Sequence, residues 1–219
     1  MSRNSYAVFG LGSFGGKLAL ELSRAGHTVL ACDIDQSRVD EFSTKVAQVV
    51  ACDVSNLDVL RDLGVSKFDA VILCMSTCFE KQMLALTLLK KEGAKRVLAK
   101  AVSDIQETIL YRLGADEVIQ PEEDAAARLS QRLSMVNIRN IVDFKGSAIA
   151  EVTVHAEMIG HSLRELDLRN RHDITVLLVR KPESTDEIHP TPDMVLKKGD
   201  TLTVFGSRDS IEKLFNEGN

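Results

Sequence analysis

Gly10-Leu11-Gly12-Ser13-Phe14-Gly15-Gly16 follows directly on the apolar run Tyr6-Ala7-Val8-Phe9. The apolar run reads as a buried strand, the glycines as a tight turn, and the residues from about Phe14 onward as a helix. Gly10 permits the turn, Gly12 lets the backbone approach a diphosphate, and Gly15 removes a Cβ where helix and strand pack closely. The N–H groups at the helix start, with the positive end of its dipole, would face the phosphates. Such a glycine pattern is weakly specific alone, so its surroundings decide.

Leu18, Leu22 and Ala25 form one helical stripe after the turn, and Gly26 stops the helix. Thr28–Cys32 is a buried second strand ending in Asp33-Ile34-Asp35, Gln36–Phe42 a short helix and Val46–Ala51 a third strand. Leu57–Leu63 is a helix with Asn56 as N-cap and Gly64 as stop. Ala70–Cys74 is a fourth strand, followed by a polar turn at Ser76-Thr77 and a long helix over Phe79–Glu92. Arg96–Ala99 and Glu117–Ile119 are further strands around a helix that starts at Asp104. Pro121-Glu122-Glu123 opens a helix to about Val136, with an apolar stripe of Leu129, Leu133 and Val136. Strands alternating with amphipathic helices predict an α/β fold, a Rossmann-type doubly wound parallel sheet of strand order 3-2-1-4-5-6.

The pattern changes after Asn137. Asn140–Lys145 and Ala148–Val154 read as strands around Gly146-Ser147, His161–Leu166 as a short helix and Ile174–Val179 as a strand. Lys181–Pro192 holds three of the chain's four prolines and reads as a loop. Lys198-Gly199-Asp200 turns into a strand over Thr201–Phe205, and Ser207–Phe215 is a final helix. The expected domains are thus 1–137, which would bind a nucleotide, and 138–219, a small α+β C-terminal domain.

The chain has 219 residues, 44% apolar and 27% charged, with a net charge of −5 and no basic block, which argues against nucleic acid as a partner. No apolar run approaches the about 20 residues that cross a bilayer. With no leader pattern, Cys32, Cys52, Cys74 and Cys78 are expected as reduced core or pocket-rim thiols of a cytoplasmic protein.

Asp33 lies 18 residues after Gly15 at the end of the second strand, where a carboxylate accepts hydrogen bonds from ribose hydroxyls. It would repel a 2′-phosphate, and no arginine follows it directly, which disfavours NADP. Asp53 ends the third strand on the adenine side, and as one residue it is equally an ordinary turn aspartate. Lys100, at the ligand-facing end of the fifth strand, is open between a phosphate contact and a surface lysine. Glu122 is open between a site residue and a helix-start carboxylate. The histidines (His27, His155, His161, His172, His189) fall into no paired motif. A nucleotide site without a visible catalytic set points to a sensor. The alternative is an NAD-dependent oxidoreductase with a catalytic pair between its domains.

At this point the chain resembles the RCK (TrkA-type) regulatory subunits of bacterial Ktr/Trk potassium uptake systems. The likeness rests on Val8–Gly16, Asp33-Ile34-Asp35, Val97–Ala101 and Leu113–Asp116 with Pro121-Glu122. In the second half it rests on Leu166–Arg169, Ile174–Leu177 and Pro192 with Lys198–Leu202. The resemblance implies a binding protein and not an enzyme. Such a subunit is cytoplasmic and peripheral to the inner face of the membrane through a potassium-translocating partner. It forms homo-oligomers, dimers assembled into a ring, typically an octamer. It implies ATP, ADP or NAD(H) at Gly10, Gly12, Ser13, Phe14 and Gly15, with Asp33 on the ribose, Ile34 and Asp53 framing the nucleoside and Lys100 near the phosphates. Glu122 matches a glutamate associated with a phosphate-bound Mg2+ or Na+. Many relatives carry an arginine where this chain has Ser13. A hydroxyl supplies no charge there, so weaker discrimination of ATP from ADP, or a preference for NAD(H) or AMP, is expected. Some relatives bind cyclic di-AMP in the C-terminal domain, and Arg169 or Arg171 with Ile174 and Pro192 are the comparable positions.

Overall fold

The computed structural model describes residues 3–75, 78–134, 137–184 and 186–216. The chain divides into two compact units, Met1–Asp124 and Ala125–Asn219. The first alternates strand and helix: β1 (Ser5–Phe9), α1 (Ser13–Arg24), β2 (Thr28–Asp33), α2 (Gln36–Phe42), β3 (Gln48–Ala51) and α3 (Leu57–Leu63). It continues through β4 (Ala70–Leu73), α4 (Phe79–Lys91), β5 (Val97–Lys100), α5 (Asp104–Arg112) and β6 (Glu117–Ile119) to the start of α6 (Pro121–Ser134). All strand pairs are parallel, in the expected order β3-β2-β1-β4-β5-β6.

Strand alternation supplies two buried faces. Ala7, Phe9, Leu30 and Cys32 pack with Leu60, Leu86, Leu89 and Leu110 on one side. Val8, Ala31 and Ile72 pack with Ala19, Leu22 and Phe42 on the other. β3 is mostly exposed because it is the sheet edge. Asn56 caps α3 by accepting a hydrogen bond from Asp58 N, and Gly64 ends it in the left-handed region. In α6, Leu129 and Leu133 are exposed, so the expected stripe is not a buried one. Its third member, Val136, and the turn at Ser76-Thr77 lie outside the described residues.

The second unit is an antiparallel sheet of β7 (Ile138–Phe144), β8 (Ser147–Thr153), β9 (Thr175–Arg180), β10 (Glu187–Ile188) and β11 (Thr201–Gly206). Its order is β10-β9-β11-β8-β7. Helices α7 (Leu163–Leu166), α8 (Leu168–His172) and α9 (Arg208–Asn216) complete it. The short helix expected over His161–Leu166 is present as α7, and α8 follows it as a further helix that the sequence reading did not include, set off by Asp167 with a φ of 45°. The proline-rich stretch expected as a loop contains β10, which pairs with the end of β9. Asp200 is fully buried in the turn before β11, where its carboxylate accepts from Lys181 Nζ at 2.7 Å and Lys197 N at 2.9 Å.

The glycine turn is held by close packing. Gly10 has a φ of +96°, and its N–H donates to Cys32 O at 2.8 Å. A Cβ on Gly15 would overlap the carbonyl oxygen of Gly10 and come 2.8 Å from Cys74 Cβ. Backbone cannot give way there. Gly15→Ala is therefore expected to lower stability by about 1–3 kcal/mol, read as a lower urea midpoint at unchanged slope. An unchanged midpoint would contradict this packing account.

Candidate nucleotide-binding site

A cavity of about 570 Å3 opens at the carboxyl ends of β1, β2 and β4. β1 lies between β2 and β4 in the sheet, so the chain reverses its winding there and leaves a crevice. Gly10, Gly12, Ser13 and Phe14 line it from the turn, and Asp33, Ile34 and Asp53 from the ends of β2 and β3. Lys100, at the end of β5, also lines it. Eight of the ten residues read as nucleotide-binding from the sequence thus meet in one crevice. Gly15 lies behind it, buried in α1. Glu122 is joined to it through Lys100.

Asp33 is buried and anchored at both oxygens. Oδ2 accepts from Leu11 N at 2.6 Å, and Oδ1 accepts from Asp35 N at 2.9 Å. The carboxylate therefore ties the end of β2 to the glycine turn, and its remaining lone pairs can accept ribose hydroxyls. Gly12 provides the room: a Cβ there would meet only Arg38 Nη1, at 3.9 Å. Gly12 is also the N-cap of α1 and brings no capping side chain to its first-turn N–H groups. The site fits a nucleotide by this donor set and this open cradle.

Among the described residues, four ion pairs involve residues that line the cavity, one of them Arg38 Nε with Asp35 Oδ2 at 3.9 Å. Arg38 Nη1 lies 3.3 Å from Asp33 Oδ2, and Lys81 Nζ lies 2.6 Å from Asp53 Oδ2. Lys100, whose side chain is 7% exposed, pairs with Glu122, which is 65% exposed. Lys100 also lies 6.0 Å from the Phe14 ring centroid. The Lys81 ammonium and the Ser55 hydroxyl hold the Asp53 carboxyl at about 2. The Lys100 ammonium likewise lowers the Glu122 carboxyl. Burial pushes the Cys74 thiol up to about 12.

Sequence reasoning missed Arg38 and Lys81. Arg38 was traceable in principle: α2 starts after its cap Asp35, and its third residue reaches back over the cap. Lys81 meets Asp53 only because β3 and β4 exit on the same edge of the sheet, which no local pattern records. In the second unit, Ile174 is 1% exposed and packs in the core, whereas Arg169, Arg171 and Pro192 are exposed.

The TrkA-N domain family matches residues 6–121, and the TrkA-C domain family matches residues 148–217. Ktr system potassium uptake proteins C and A of Bacillus subtilis (strain 168) are each 29% identical to this chain. The alignments cover 96% of this chain and 96% of protein C, and 100% of this chain and 98% of protein A. Among solved structures, the GsuK channel bound to NAD shares the fold at a TM-score of 0.64 and 18% identity. That alignment covers 100% of this chain but only 40% of the GsuK chain.

The Asp53–Lys81 pair makes a pH prediction. Because the folded carboxyl lies below its ordinary 3.8, the pair contributes fully above about pH 4 and is lost as pH falls towards 2. Lys81→Met is expected to raise the Asp53 carboxyl by about one unit or more, read by NMR titration. A value still near 2 would assign the depression to Ser55 alone.

Proposed function

We propose, from the premise that the chain belongs to the TrkA family through its TrkA-N and TrkA-C domains, that it is a nucleotide-sensing regulatory subunit of a membrane potassium transporter or channel. The observation that carries this reading is the cavity at the sheet reversal. A buried Asp33 there grips an open glycine cradle, in a chain alignable end to end with potassium uptake proteins. No described helix is long and apolar enough to cross a membrane. The likeness to Ktr system potassium uptake proteins is what favours a membrane-embedded partner. We assign that partner as a potassium-translocating subunit, met at the cytoplasmic face by a ring of copies of this chain.

The ligand is an adenine nucleotide, ATP, ADP or NAD(H), bound without turnover. Asp33 would hold the ribose, Ile34 and Asp53 the nucleoside, and the glycine turn with Lys100 the phosphates. No histidine lines the cavity among the described residues. Lys100 is paired with Glu122. A phosphate that draws the ammonium away releases a carboxylate, and that carboxylate suits Mg2+ or Na+ accompanying the nucleotide. Cyclic di-AMP at Arg169, Arg171 and Pro192 would be a separate site in the second unit, testable by adding it to the isolated chain.

Asp33→Asn removes the charge facing the ribose and is expected to weaken ADP and NADH binding about tenfold or more. Ser13→Arg is expected to favour ATP over ADP by about tenfold relative to the parent chain. Equal binding by parent and Asp33→Asn chains would remove Asp33 from the site. A parent chain that already prefers ATP strongly over ADP would overturn the role given to Ser13. Co-purification from native membranes with a potassium-translocating protein is expected, and recovery with no membrane protein would overturn the regulatory reading.

A further inference from the structure

The Asp33 carboxylate has little accepting capacity left. Oδ2 accepts from Leu11 N at 2.6 Å and from Arg38 Nη1 at 3.3 Å, and Oδ1 accepts from Asp35 N at 2.9 Å. A carboxylate oxygen offers about two lone-pair directions, so Oδ2 is filled and Oδ1 keeps one. A vicinal diol gripped by a carboxylate needs one lone pair from each oxygen. Two of the three donors are backbone N–H groups, fixed in the glycine turn and at the cap of α2. Arg38 is a side chain, 46% exposed, and its contact is the longest of the three. Only Arg38 can give way to a second hydroxyl.

A second carboxylate stands ready for the displaced guanidinium. Asp35 Oδ1 accepts from Ser37 N at 2.9 Å and from Ser37 Oγ at 2.7 Å. Its Oδ2 lies 3.9 Å from Arg38 Nε, on a half-exposed side chain. Arg38 therefore lies between a buried acceptor and an exposed one. The same guanidinium overhangs the glycine turn: its Nη1 is the one atom within 4 Å of a Cβ built on Gly12. A short swing towards Asp35 would thus clear both the second oxygen of Asp33 and the space above Gly12, while a charge-assisted partner is kept.

We propose that Arg38 is a specificity-determining residue that competes with the ribose for Asp33, so that the site reads one ribose hydroxyl strongly and the other weakly. The inference rests on the nucleotide reading above and deepens it. The hydroxyl that meets the open lone pair of Oδ1 gains a charge-assisted hydrogen bond and displaces nothing. The hydroxyl aimed at Oδ2 exchanges one charge-assisted bond for another, so its net contribution is small. The affinity for any nucleotide with an intact diol is lowered by the fraction of chains that hold Arg38 on Asp33. The effect is confined to the sugar, because a guanidinium that also touched phosphate would move nucleotides with and without the hydroxyl alike.

The test measures the affinities of ADP, 2′-deoxy-ADP and 3′-deoxy-ADP for the full-length parent, Arg38→Met and Asp35→Asn chains by calorimetry. In the parent, loss of one hydroxyl should weaken binding about tenfold, and loss of the other about threefold or less. Arg38→Met should bring the second loss to about tenfold, because Asp33 then has no substitute for the missing hydroxyl, and should tighten ADP about threefold. Asp35→Asn keeps a capping side chain on α2 but removes the charge that would receive Arg38, so ADP should bind about threefold more weakly. Two equally large losses in both the parent and Arg38→Met would overturn the proposal. Weaker ADP binding by Arg38→Met with unchanged deoxy ratios would also overturn it and give the guanidinium to the phosphates. Should Arg38→Met not fold, equal or tighter ADP binding by Asp35→Asn would overturn it. ADP binding by none of the chains would overturn the nucleotide reading and this inference with it, an outcome distinct from binding with the wrong ratios.

Discussion

The carboxylate of Asp33 accepting a hydrogen bond from the backbone N–H of Leu11 at 2.6 Å is the contact on which the site depends. It ties the end of β2 to the turn that leaves β1 and so fixes the glycine cradle relative to the strand that would present the ribose ligand. A buried carboxylate is stable only with partners, and Asp33 has the Asp35 N–H and the Arg38 guanidinium besides. The contact is reachable because α1 sits close to the sheet, which in turn requires Gly15 to have no side chain. A backbone constraint in one helix and a charge at the end of a strand thus specify one geometry together.

The charges around the cavity are paired with one another. Asp33 faces Arg38, Asp53 faces Lys81, and Lys100 faces Glu122. A polyphosphate entering such a site exchanges partners and does not meet an open field of positive charge. On the proposed reading, a phosphate that draws Lys100 away from Glu122 would free a carboxylate at the start of α6, the kind of local change a regulatory subunit can pass on.

The first half was legible because each local signal agreed with the others. Asn56 and Gly64 bracket α3 as their chemistry requires, and the strand order follows from the alternation and the glycine turn. The glycine turn, Asp33, Asp53 and Lys100 all sit at strand ends, a place that periodicity marks. Lys81 escaped because 28 residues separate it from Asp53, whereas Arg38, five residues from Asp33, carries a signal only in the geometry of the cap that turns α2 back over Asp33. The second half was less legible. The break between α7 and α8 turns on a single left-handed aspartate, and β10 is two residues long among prolines. Ile174, just before β9, is buried in the core of the second unit.

The central claim is that this crevice reads a nucleotide without consuming it. Equilibrium dialysis of the reduced full-length chain against NADH, ADP and ATP, with recovery of each nucleotide for analysis, tests that claim most directly. The account predicts saturable binding near one nucleotide per chain and recovery of every nucleotide unchanged. Steady hydrolysis of ATP or oxidation of NADH by the chain, or no saturable binding of any of the three, would contradict it.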